Sequence, residues 1–204
     1  MFETIKSGGP LMIPIILCGI IAVFIIAERI HYYVSVKKLD RKLMETVNDS
    51  LKTRDFTAIL SECKKADTPC AQVIAAAVNS RQLNEGNLKE VVQTKMDSVV
   101  FKLEHLLTAL RTIASISTLL GLLGTVTGNI EAFNVLGSGS GSMGDPAALA
   151  GGIAQALVTT VAGLIVGIPS ITAVNFFENA VNHRITEMET NVTRVLFNIL
   201  GKEI

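Results

Sequence analysis

The chain has 204 residues, 49% of them apolar and 5% aromatic, and its 18 Lys and Arg balance 18 Asp and Glu. A mean hydropathy of +0.47 is too high for an ordinary soluble domain, and zero net charge excludes the basic footprint of a nucleic-acid binder. The placement of the charges says more than their sum: 25 of them fall within 28–111, whereas 112–177 holds only Glu131 and Asp145. That segregation predicts an all-α membrane protein with one polar cytoplasmic block.

Residues 7–27 carry no charge over 21 positions, enough at about 1.5 Å per residue to cross a hydrocarbon core of roughly 30 Å. This apolar run is longer than a signal-peptide core, and no small-x-small cleavage site follows it. Glu28, Arg29, Tyr32 and Tyr33 come next as an interfacial anchor, so the segment is expected to be retained. The first span is placed at 10–30, after a periplasmic N-terminus at 1–9. Lys6 precedes the span and Arg29, Lys37, Lys38, Arg41 and Lys42 follow it, which predicts a cytoplasmic helical domain at 31–107.

Within that domain, helix starts are expected at Asp55, at Thr68 with Pro69 behind it, and at Asn87 with Glu90 three residues later. Leu88, Val92, Met96, Val99, Leu103, Leu106 and Leu110 form one apolar helical stripe that enters the second span, 108–136, without a Gly or Pro break. A periplasmic Gly/Ser turn at 137–147 leads to the third span at 148–178 and a cytoplasmic C-terminal helix at 179–204. In that tail Val181, Ile185, Met188, Val192, Val195 and Ile199 repeat the spacing. Helices two and three are therefore expected to extend far into the cytoplasm, side by side.

The second and third spans carry matching faces of small residues. Ser117, Gly121, Thr125, Gly128 and Ala132 on one have the same spacing as Gly152, Ala156, Thr160, Gly163 and Gly167 on the other. Small residues in lipid let helix backbones approach, so a close-packed hairpin is one reading. Thr125, Thr127, Asn129, Gln155, Thr159 and Thr160 add buried polar groups that need partners or a wet cavity, so a guest helix or a hydrated ion path is the other. Glu131 and Asp145 flank the turn and are candidates to concentrate cations at its mouth. Cys18, Cys63 and Cys70 form neither CxxC nor a His-flanked cluster, which predicts free thiols. The chain has no Ser/His/Asp set, P-loop or metal-ligand spacing, so an enzyme is not expected.

The runs TIASISTLLGLLGTVTGNIEAF (112–133) and GGIAQALVTTVAGLIVGIPSITAVNFF (151–177) resemble the MotA/TolQ/ExbB proton channel family, in particular its ExbB/TolQ branch. The resemblance implies a motor subunit of the bacterial inner membrane: a homopentamer around a dimer of an ExbD/TolR-like single-span protein whose membrane Asp binds the ion. Work would pass to a TonB- or TolA-like protein, with H+ or Na+ as coupling ion and no other cofactor. The chain has three spans where MotA-like chains have four, which turns it away from the flagellar branch.

Carried onto this sequence, the resemblance puts Thr125 and Thr160 on the two pore-lining threonine positions. Thr159 and Gln155 join them as ion-path candidates, and Gly121, Gly124, Gly128, Ala156, Gly163 and Gly167 are the expected packing face for a partner helix. Three residues depart from the pattern. Gln155 stands where it has a Glu, Thr118 where it has a Pro, and the Thr159–Thr160 pair resembles sodium-driven stators. Amide and hydroxyl oxygens suit a small hard cation, so sodium coupling is expected as readily as proton coupling. Pro169 is expected to free a backbone carbonyl in the third span, and Asn175 to cap or bridge near its inner end. A membrane scaffold that assembles partner helices without ion flux is the alternative function.

Overall fold

The computed structural model describes residues 9–137 and 146–201. Its elements are all helical: α1 (Met12–Thr53), α2 (Phe56–Ala66), α3 (Pro69–Asn79), α4 (Glu85–Gly137) and α5 (Pro146–Leu200). Three of them, α1, α4 and α5, contain windows long and apolar enough to cross a membrane. The chain is a multi-pass α-helical membrane protein.

Local chemistry explains where the helices break. Arg54 sits in the left-handed region at φ 55°, which turns the chain out of α1. Asp55 then caps α2 by accepting the Ala58 N–H at 3.1 Å. Asp67, also left-handed, closes α2, and its N–H donates to the Cys63 carbonyl. The next residue, Thr68, accepts the Ala71 N–H at 3.2 Å, with Pro69 in the first helical position, where a missing N–H costs nothing.

The third start lies earlier than expected. Asn84, not Asn87, caps α4, and Asn87 supplies the N–H that the Asn84 side chain accepts at 2.9 Å. Glu85 in the first turn sits at the positive end of the helix dipole, an arrangement that suits the earlier start.

The helices form two compact units, one from Met1–Ala27 and Leu107–Phe176, the other from Glu28–Leu106 and Phe177–Ile204. The second, charged unit has a core of large aliphatic side chains, among them Val47, Ile59, Ile74, Leu88 and Val195, each fully buried. Arg29, 6% exposed, ties α1 to α4 inside this unit by donating to the Leu103 carbonyl at 3.3 Å. Its guanidinium lies 5.3 Å from the Tyr32 ring centroid and 5.9 Å from that of Tyr33, so the apolar stem and the cation are both accommodated.

Along α4 the buried face runs Leu88, Val92, Met96, Val99, Leu103, Leu107 and Leu110. Leu107 thus takes the place expected for Leu106, which is half-buried. A period of 3.6 leaves two neighbours equally eligible at each turn, and packing decides between them.

The first, apolar unit is arranged the other way round. Its large side chains point outward: Leu17, Phe24, Leu122, Phe133, Leu157 and Ile165 are all exposed. Where α4 and α5 meet from Ala114 to Ala132 and from Ala156 to Ser170, its buried positions are small.

Candidate functional site

In the apolar unit α4 and α5 meet along a seam with almost no side chain in it. A Cβ added to Gly163 would lie 2.6 Å from the Ser117 carbonyl oxygen and 2.9 Å from the Gly121 Cα. One on Gly128 would lie 2.7 Å from the Ala156 Cβ. The backbones touch because nothing separates them. Gly124 receives the Thr159 side chain, Gly167 receives the Thr118 hydroxyl, and Gly152 packs on Ala132.

Gly121, Gly124, Gly128, Ala156, Gly163 and Gly167, the expected packing face for a partner helix, pack between α4 and α5 of one chain. Two matching small faces joined by a short connection find each other at high effective concentration, and a second protein would have to displace that contact. Ser117, Gly121, Gly128, Ala132, Ala156, Gly163 and Gly167 are buried as expected, and two positions are shifted by one residue. On α4 Gly124 lies in the seam and Thr125 beside it, half-buried; on α5 Thr159 lies in the seam at 1% exposure and Thr160 beside it.

The hydroxyls are satisfied without a wet path. Ser117 donates to the Ile113 carbonyl at 2.7 Å, Thr118 to Ala114 at 3.0 Å, Thr127 to Leu123 at 3.0 Å and Thr159 to Gln155 at 2.9 Å, all four residues back on their own helix. Thr125 donates to the Leu122 carbonyl at 2.6 Å. Thr160 is different: its hydroxyl donates across the seam to the Gly121 carbonyl at 2.9 Å, with its own Ala156 carbonyl at 3.3 Å. It is a latch between α4 and α5. The four ion-path candidates therefore divide, with Thr159 closed inside the hairpin, Thr160 latching it, and Thr125 and Gln155 half-buried at its surface.

The Gln155 side chain packs on Gly9, whose left-handed φ of 69° and missing Cβ admit the amide. Asn129 and Glu131 are exposed, and so is Asn175; Asp145 lies outside the described residues. With Thr118 where the pattern has a proline, α4 runs unbroken, and α5 continues through Pro169. Ser170 next to that proline is 2% exposed and donates to the Val166 carbonyl at 2.7 Å. The Thr118–Gly167 contact went unread in the sequence. The signal for it was that Gly167 belongs to the recognised face of α5 and Thr118 follows Ser117 of the recognised face of α4.

A polytopic helical membrane protein whose second and third spans are sealed by a glycine seam is the class that this architecture defines. Residues 65–190 match the model of the MotA/TolQ/ExbB proton channel family. That is more than half of the chain, and the chain belongs to this family. It is 27% identical over 173 residues to an ExbB-like biopolymer transport protein of Synechocystis, covering 85% of this chain and 82% of that one. An ExbB homologue of Methanothermobacter thermautotrophicus is 27% identical over 93% of this chain and 67% of its own length. The biopolymer transport protein ExbB of Neisseria meningitidis serogroup A is 28% identical over 84% of each. The family is one of channel and transport subunits.

Proposed function

We propose that the chain is the ion-path subunit of an inner-membrane motor that converts ion motive force into work on the cell envelope. One observation carries this reading. The described hairpin is a neutral, rigid wall: its hydroxyls are bonded to backbone carbonyls, and the only carboxylate described within Leu107–Phe176 is the exposed Glu131. Such a wall can flank an ion path but cannot supply its ionisable relay. The relay has to come from a second protein, as an ExbD/TolR-like single-span partner with a membrane Asp would provide. Five copies around a dimer of that partner, with a TonB- or TolA-like protein receiving the work, complete the assembly. The basic residues after the first span support an N-terminus in the periplasm and a charged unit in the cytoplasm.

The coupling ion on this reading is the proton. With Thr159 turned to the Gln155 carbonyl inside the hairpin, one of the extra hydroxyls that would favour a sodium ion is withdrawn from the surface, whereas a proton needs no shell of oxygen ligands. Reconstitution of the chain with its single-span partner tests both parts. Thr125→Val should lower gradient-driven proton flux at least about tenfold while the oligomer stays intact. Full flux in that variant would favour the non-conducting scaffold, and flux that vanishes when sodium is withdrawn would overturn proton coupling in favour of sodium.

A further inference from the structure

We propose that Asp40 is the protonatable ligand of a buried hydration site in the charged unit, and that loss of its proton draws water into the site and loosens α1 from α3 and α5. The site is a cavity of about 30 Å³ walled by Tyr33, Val36 and Asp40 of α1, Pro69 and Cys70 of α3, Leu103 of α4, and Arg184, Glu187, Met188 and Asn191 of α5. One water needs roughly 10–15 Å³ of such space and two to four polar partners. Two buried polar atoms of residues in this wall, the Asp40 Oδ1 and the Tyr33 hydroxyl, make no well-formed hydrogen bond, the Tyr33 hydroxyl having only the Arg29 guanidinium near it. Leaving both dry costs the desolvation of each, so the cavity is built to hold water between them.

Asp40 also borders a groove of about 510 Å³ between α1 and α5, which gives the carboxyl a route for water and protons. The Thr68 hydroxyl, whose oxygen accepts the Ala71 N–H, lies close enough to favour the ionised Asp40 carboxyl, so Asp40 neighbours the cap of α3. The charged and titratable groups that face it are Tyr32, Tyr33, Lys37, Arg41 and Glu45 from α1, Cys70 from α3, and His183, Arg184 and Glu187 from α5; Leu103 of α4 brings none. Arg41 pairs with Glu45 at 3.6 Å and Arg184 with Glu187 at 2.9 Å, so both cations have other partners and neither is committed to Asp40.

Burial pushes the Asp40 carboxyl above its ordinary value, outweighing the Thr68 hydroxyl and the Arg184 charge that pull it down; Glu187 pushes the same way as burial. A raised value in the folded state means that folding favours the protonated form. Stability therefore falls as pH rises from the usual carboxylate range through the raised value. The ionised site is the strained one, and hydration from the groove relieves it.

The full chain in lipid nanodiscs provides the test. In pH-difference infrared spectra, the protonated-carboxyl band that Asp40→Asn removes should titrate above the range of exposed carboxylates; a midpoint within or below that range overturns the proposal. Cys70 in the cavity wall reports opening once Cys18→Ser and Cys63→Ala leave it as the one thiol. At a single neutral pH, Asp40→Asn should slow Cys70 labelling about tenfold by keeping the site closed, and unchanged or faster labelling overturns the gating. Tyr33→Phe keeps the ring that packs on Phe177 and removes the second water ligand. It should raise the Asp40 midpoint further, and an unmoved midpoint overturns the shared hydration site.

Discussion

Along α4 the buried face reads Leu88, Val92, Met96, Val99 and Leu103 in the charged unit and Ser117, Gly121, Gly124, Gly128 and Ala132 in the apolar unit, with the same alternation of three and four residues. The helix and its period are continuous, and only the side-chain size changes. In water, association gains from removing aliphatic surface, and large residues supply more of it. In lipid the outside is as apolar as the inside, so burying a leucine gains little. What remains is dispersion at close range and hydrogen bonds across the contact, both of which require small residues. The same fold thus uses opposite inventories on one helix, and the two units should respond oppositely to a change of volume.

Removing volume should hurt the charged unit most. Leu88 is fully buried, and Leu88→Ala is expected to cost about 2–5 kcal/mol, measured as a shift in the denaturant midpoint of the charged unit's helical signal. Adding volume should hurt the apolar unit. Gly163→Ala places a methyl 2.6 Å from the Ser117 carbonyl oxygen and is expected to cost about 1–3 kcal/mol, read from unfolding in mixed detergent micelles. A Gly163→Ala protein as stable as the parent would break the comparison, because the seam would then tolerate what a close-packed contact cannot.

A finer test separates the Thr160 hydrogen bond that crosses the seam from the packing around it. Thr160→Val keeps the shape of the side chain and removes the donor to Gly121; interhelical hydrogen bonds within a folded membrane protein are worth about 0.6 kcal/mol on average. Thr160→Ser retains the hydroxyl and should restore most of the loss. If valine and serine variants unfold alike, Thr160 acts through its methyl and the latch is wrong.

The sequence was most legible where one residue type does one job. Asp55 and Thr68–Pro69 are helix starts because a short oxygen and a ring without an N–H have few other uses at those places. The three spans were legible because twenty uncharged residues leave little choice. It was least legible where two neighbours could do the same job. Thr159 and Thr160 lie three and four residues after Ala156, both compatible with the buried face, and Leu106 and Leu107 pose the same ambiguity. The hydroxyls also pointed the wrong way: a threonine in an apolar helix reads as a polar group seeking a partner, yet the carbonyl one turn back on its own helix already serves. Asp40 was invisible because a lone acid among lysines looks solvated until four helices close around it.

Protons should separate the two units with the smallest effect of all. The Asp55 carboxyl is held below the usual aspartate value, first by the Thr57 hydroxyl at 2.8 Å and then by the Ala58 N–H at 3.1 Å. A depressed value in the folded state contributes stability that is present above the unfolded value and is lost as pH falls through the folded one. Asp40 has the opposite sign, since its value is raised. On acidification the charged unit should therefore first gain from Asp40 and then, below about pH 4, lose the contribution of Asp55. Asp55→Asn keeps an oxygen for the cap and should flatten the acid limb, whereas Asp40→Asn should flatten the limb above it; both are read from the pH dependence of the charged unit's unfolding midpoint. The seam of the apolar unit contains no titrating group among the described residues, so Thr160-dependent stability should not change over the same range. An acid-sensitive seam would show that the two units are not held by separate chemistry.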